Sequence, residues 1–307
     1  MNNVKHILLI FTIAILLAAC NGTESTEENG RLQVVTTTGQ VADAVANIAG
    51  DNVELKSLLG PGIDPHLYVP TEGDVSAFAN ADIIFYNGLH LEAQMTRVLD
   101  QMAKRGTIVV AMGESMPVDQ LLSWDANTFD PHVWNDPMLW SLGVESIRDT
   151  LIAADPDNTE IYRTNAEAYL AQIAESHEFV QAEINKIPED KRVMITAHDA
   201  FGYFARTYGL EERGLQGIST ESEAGTQDVQ ELAAFIVERQ IPAIFVESSV
   251  PPDTIEAVQE AVKAQGFAVE IGGQLFSDAL GEAGHEADNY NGMLRYNATT
   301  LATALGK

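Results

Sequence analysis

The sequence predicts an α/β fold of two βα lobes with largely parallel sheets, joined by one long backbone helix. Three observations predict it. Short apolar runs of β type alternate with helical stretches twice along the 307 residues. The two series are separated by a single apolar stripe of helical period, opened by Asp155-Pro156-Asp157-Asn158. A chain of this length also exceeds one typical core, so two domains are expected.

In the first series, β-branched and aromatic residues mark strands at Leu32–Thr37, Val53–Leu59, Asp82–Tyr86 and Thr107–Ala111. Helices are expected between them at Gln40–Ala49, Thr71–Ala79 and Glu92–Lys104. The second series reads as strands Arg192–Thr196, Gly214–Ile218, Ala243–Glu247 and Phe267–Ile271. Its helices are Ala200–Tyr208, Thr226–Gln240, Pro252–Gln265 and a last one at Asn289–Leu305. The connecting helix carries Tyr162, Ala166, Tyr169, Ile173, Val180, Ile184 and Ile187 on one face and stops at Pro188. The expected organisation is residues 31–154 as an N-terminal lobe, 155–188 as the linking helix and 189–307 as a C-terminal lobe. One stiff helix between lobes implies a small motion between open and closed states.

The N-terminus sets the compartment. Lys5 precedes the apolar run Ile7–Ala19, too short to span a bilayer, so residues 1–19 read as a signal peptide. Leu17-Ala18-Ala19-Cys20 resembles a bacterial lipobox, with Cys20 as the lipidated first residue and residues 20–30 as a polar, acidic tether. The expected location is the outer face of the bacterial cytoplasmic membrane, held by two acyl chains. Cys20 is the only cysteine, so thiolate metal sites and cysteine nucleophiles are excluded from the mature chain. Loss of the leader, whose one charge is Lys5, moves the net charge from -28 to -29. Such a surface repels a phosphate backbone and argues against nucleic-acid binding.

Four residues stand out as candidate metal ligands: His66, His132, His198 and Asp278. Each lies in or beyond a loop that succeeds a β-type run, and in an open α/β sheet such loops converge on one crevice. The tripeptide Asp-Pro-His occurs twice, at 64–66 and 130–132, and in each copy proline bars the aspartate from helical geometry. That carboxylate could orient an imidazole or cap the next turn of chain. Asp278 by itself reads as an ordinary turn residue, and the three histidines are what raise it. Three imidazoles and one carboxylate suit zinc, manganese or iron(II) rather than calcium or magnesium. His177 sits at helical spacing in the linking helix and reads as packed, while His285 lies in an acidic loop and reads as solvated. His90 comes after a strand and is the competing pocket candidate.

The chain carries, in this order, Asp64-Pro65-His66, Tyr86-Asn87-Gly88-Leu89-His90-Leu91-Glu92, Asp130-Pro131-His132-Val133-Trp134, Thr196-Ala197-His198-Asp199-Ala200-Phe201-Gly202-Tyr203-Phe204, Leu215-Gln216-Gly217-Ile218-Ser219 and Ile244-Phe245-Val246-Glu247-Ser248. Together they resemble the zinc and manganese solute-binding lipoproteins of ABC importers, the TroA-like family, also called cluster 9 or cluster A-I. The resemblance runs from about Leu32 to the C-terminus. It implies His66, His132, His198 and Asp278 as ligands, two from each lobe, and a monomer that delivers Mn2+ or Zn2+ to a membrane permease. Met112–Phe129 lacks the histidine-rich loop usual in zinc members, which favours manganese. Some manganese members carry Glu where His198 stands, which argues the other way.

The rival class is a zinc-dependent hydrolase, with Glu247 as its base. The chain has no His-Glu-x-x-His, no Gly-x-Ser-x-Gly and no phosphate loop, and four protein ligands leave little room for a reactive water. The sequence therefore predicts a carrier and no enzyme. A surface adhesin is a third reading, and no repeat in the chain supports it.

Overall fold

A computed structural model describes residues 30–306; residues 1–19, expected as a signal peptide, and Cys20, expected as the lipidated residue, lie outside the described residues. The first half builds one parallel sheet from β1 (Leu32–Thr36), β2 (Val53–Ser57), β3 (Ile83–Tyr86) and β4 (Ile108–Ala111), in the order β2-β1-β3-β4. The chain passes from β2 on one side of β1 to β3 on the other, and that reversal leaves a crevice at the carboxyl ends of the strands. Helices α1 (Gly39–Ala49), α2 (Glu72–Asn80) and α3 (Thr96–Arg105) make the crossovers. Thr38 caps α1 by accepting from the Val41 N–H, and Thr71 with Asp74 forms a capping box on α2.

Helix α4 (Pro137–Ala154) has no counterpart among the expected elements. Its signal was present: Asp136 caps it, Pro137 opens it, and Leu139, Trp140, Val144, Ile147 and Leu151 repeat at helical spacing. The linking helix α5 runs over Thr159–Ile184, and the stripe Tyr162, Ala166, Tyr169, Ile173, Val180 and Ile184 is buried as the period predicts. It packs against α1, α4 and the last helix, so its apolar stripe joins a core that draws on both halves of the chain. Each buried aliphatic in that stripe contributes about 1.5–3 kcal/mol.

The second half has two parallel pairs, β5 (Val193–His198) with β6 (Glu211–Gln216) and β7 (Ala243–Glu247) with β8 (Glu270–Leu275), and β7 packs alongside β5. Helices α6 (Gly202–Tyr208), α7 (Thr226–Arg239), α8 (Asp253–Ala264) and α9 (Tyr290–Leu305) complete it. Two strands fall away from their expected positions. β6 is Glu211–Gln216 rather than Gly214–Ile218, and β8 is Glu270–Leu275 rather than Phe267–Ile271. Both are polar or glycine-rich runs whose pairing, not their propensity, makes them strands. A Cβ at Gly214 would lie 2.4 Å from the Asp199 nitrogen, so β6 closes on the end of β5 only because that position is glycine. No helix among the described residues is long and apolar enough to cross a membrane.

Candidate metal centre

Each site residue arrives from a different segment. His66 lies in the rigid turn beyond β2, and His132 sits just before a short 3-10 turn (Val133–Asn135) that leads into α4. His198 is the last residue of β5, a strand buried along its whole length, and Asp278 comes three residues after β8. The distant segments meet because parallel strands present their carboxyl ends on one side. All four side chains are buried, at 2% exposure or less.

One nitrogen or oxygen from each of the four lies within 4.8 Å of every other. His198 Nε2 is 3.2 Å and His66 Nε2 3.8 Å from Asp278 Oδ2, and His132 Nε2 is 3.5 Å from Asp278 Oδ1. The Nε2 atoms of His66 and His132 are 3.3 Å apart. A tetrahedral shell at about 2.1 Å places neighbouring donors about 3.4 Å from one another, so these separations fit a zinc-sized or manganese-sized ion. His198 Nε2 and Asp278 Oδ1 are buried without a hydrogen-bond partner, as donors awaiting a cation would be.

The imidazoles are oriented from behind. One oxygen of Asp130 lies 2.7 Å from His132 Nδ1 and also accepts the His132 backbone N–H at 2.9 Å. Glu247 Oε2 lies 2.6 Å from His198 Nδ1, and its other oxygen accepts the His198 backbone N–H at 2.8 Å. A proton held on Nδ1 by a carboxylate turns the Nε2 lone pair toward the metal and makes it more basic. Trp134 packs edge-on to His132, with ring centroids 5.3 Å apart. Its indole N–H and the Gln40 amide both donate to the Ser277 carbonyl at 3.1 Å, which fixes the residue before Asp278. Asp64 differs from Asp130: one oxygen accepts the His66 N–H at 2.8 Å, and the other accepts the Thr220 hydroxyl at 2.6 Å.

Protonation divides the candidate ligands. Burial pulls His66 down to about 3, against the pull of Asp278. Burial also opposes charge on His198, yet the Glu247 and Asp278 carboxylates outweigh it and raise that imidazole well above its usual value. Burial would raise Asp278, but His198 first and then the other two imidazoles hold it well below the carboxylate range. The metal-free site therefore keeps one proton on His198 where a divalent ion would otherwise place its charge.

Of the other histidines, His90 is exposed with a positive φ and is not among the converging donors. His177 is half-buried against Tyr208, 3.0 Å from its hydroxyl, and His285 is exposed. Glu247 is the residue whose role the sequence does not disclose. It is buried against His198 and is not free to act as a base on water. Its place at the carboxyl end of β7, beside the end of β5, was the available signal.

A family profile described as zinc-uptake complex component A, periplasmic, matches residues 34–304. Zinc-binding protein TroA of Treponema pallidum is 48% identical over 287 residues, covering 93% of this chain and 92% of that protein. Manganese-binding lipoprotein MntA of Bacillus subtilis is 44% identical over 292 residues, covering 94% and 95%. The solved structure of the periplasmic zinc-binding protein TroA from Treponema pallidum superposes with a TM-score of 0.89 at 49% identity, covering 91% of this chain and all of that one.

Proposed function

The chain belongs to the zinc-uptake component A family, and from that premise we propose that it is the extracytoplasmic binding component of an ABC importer, capturing one Mn2+ or Zn2+ ion and delivering it to a membrane permease. His66 and His132 come from an N-terminal lobe, residues 31–154, and His198 and Asp278 from a C-terminal lobe, residues 189–307, linked by residues 155–188. Cys20 anchors the mature protein to the outer face of the cytoplasmic membrane. The observation that carries this reading is the convergence of the four buried donors within 4.8 Å.

Chemistry at the site supports carriage over hydrolysis. Four protein donors close a tetrahedral shell, whereas a catalytic zinc keeps one position for water. The one carboxylate that could have served as a base, Glu247, is taken up by His198: one oxygen accepts its backbone N–H and the other lies 2.6 Å from its Nδ1. The nitrogen-rich donor set binds zinc more tightly than manganese whichever ion the cell moves. Cargo is therefore read from elemental analysis of protein purified from its native host without added metal. One equivalent of manganese or zinc is the expected result, and protein that holds neither, even after dialysis against both, overturns the proposal.

A further inference from the structure

We propose that Thr220 is a positioning residue for metal retention: through its hydrogen bond to Asp64 it fastens the turn that carries His66, and the ion leaves only when this bond opens. The inference rests on the metal-carrier reading and deepens it.

Three of the four donors are fixed without Thr220. The His132 ring is backed by Asp130, the His198 ring by Glu247, and Asp278 comes directly after a carbonyl gripped by Gln40 and Trp134. His66 is the exception. Among the described residues no carboxylate backs its ring, and its turn is held through Asp64, whose second oxygen takes the Thr220 hydroxyl. The bond joins residues 156 positions apart, so it ties the turn after β2 to the loop after β6. Thr220 itself is buried, at 6% exposure.

The surroundings make the bond strong and give it somewhere to open. A hydroxyl donating to a carboxylate at 2.6 Å is charge-assisted. Asp64 and Thr220 both line a cavity of about 420 Å3 whose other walls mix Leu215, Val229 and Val250 with Glu223 and Asp253. The same cavity leaves room for the Thr220 side chain to turn away without displacing packed core.

The test is metal dissociation, followed by stopped flow after mixing zinc-loaded protein with excess chelator. Thr220→Val keeps the shape and removes the hydroxyl, and it should speed release about tenfold, the value of one charge-assisted hydrogen bond. Thr220→Ser keeps the hydroxyl and should release at the wild-type rate. A role in packing alone would instead leave Val near the wild-type rate and make Ser, which lacks the methyl, the damaging change. Thr220→Ala, which introduces no new methyl beside Asp64, should match Val and serves if Val does not fold. Wild-type protein that binds one zinc while Val and Ala release it no faster overturns the latch and leaves the carrier reading standing. Wild-type protein that binds no zinc overturns the carrier reading itself.

Discussion

The two Asp-Pro-His tripeptides form the same turn and put it to different use. In both, the aspartate accepts the histidine backbone N–H, at 2.8 Å in residues 64–66 and 2.9 Å in residues 130–132. Asp130 then backs the ring of its own histidine, while Asp64 reaches across to Thr220. A tripeptide thus specifies a turn and a histidine aimed out of it. Whether the carboxylate tunes the imidazole or anchors the loop depends on what another part of the chain brings alongside. The consequence is a site with one tightly braced histidine and one whose support can be withdrawn, a useful asymmetry in a protein that must both hold and release its ion.

The largest effect expected is loss of a donor from either copy. His66→Ala and His132→Ala should each weaken zinc binding at least about a hundredfold, beyond the roughly 10–100-fold typical of residues behind the ligands. His177→Ala, His285→Ala and His90→Ala should leave affinity unchanged in the same titration. If His90→Ala proved as damaging as His66→Ala, the pairing of the two tripeptides in one site would be wrong.

The copies should separate when each aspartate is changed alone. Asp130→Asn removes the charge behind His132 and should lower affinity about tenfold. Asp64→Asn keeps an acceptor for the His66 N–H, and its amide can donate to Thr220, so affinity should fall less than about threefold, as suits a neutral hydrogen bond replacing a charged one. Equal losses in calorimetric titrations of the two variants would erase the distinction drawn between them.

Proton release extends the comparison to the ligands themselves. His66, held down to about 3, is already neutral at pH 7 and gives up no proton to the metal. His198, held well above 6.5, must give up one. From pH 6.5 up to that raised value, affinity should rise about tenfold per pH unit, and calorimetry at pH 7 in two buffers should count about one proton per ion. Three protons, one from each imidazole, would mean that His66 is charged in the metal-free protein. For the metal-free fold the sign is opposite: the stability contributed by protonated His198 is fully present below 6.5 and is lost as pH rises through its raised value. Thermal melts of metal-free protein should show that loss.

The smallest effect belongs to the exposed neighbour of the latch. Gln94 donates to Glu221 at 3.2 Å, beside Thr220 in sequence but open to water. Gln94→Ala should change the release rate less than about twofold, because exposed polar bonds contribute little. A tenfold change there would move the latch from Thr220 to the outer loop.

The sequence by itself determined the alternation of strands and helices, the stripe of the long helix and the four candidate residues that the structure brings together. Those are local properties: side-chain periodicity, proline-set turns and the few residue types that bind transition metals. Helix α4 was equally legible in the Asp136-Pro137 start and the spacing of Leu139, Val144, Ile147 and Leu151, although no expected element covered it. Only the end of β6, Gly214–Gln216, was legible, since Glu211-Glu212-Arg213 carries no strand pattern and is a strand only because β5 pairs with it. The placement of Glu247 behind His198 and of Thr220 on Asp64 belongs to the tertiary structure alone. These contacts join residues 49 and 156 positions apart, and no local preference encodes which of several carboxylates and hydroxyls will meet when the strand ends converge.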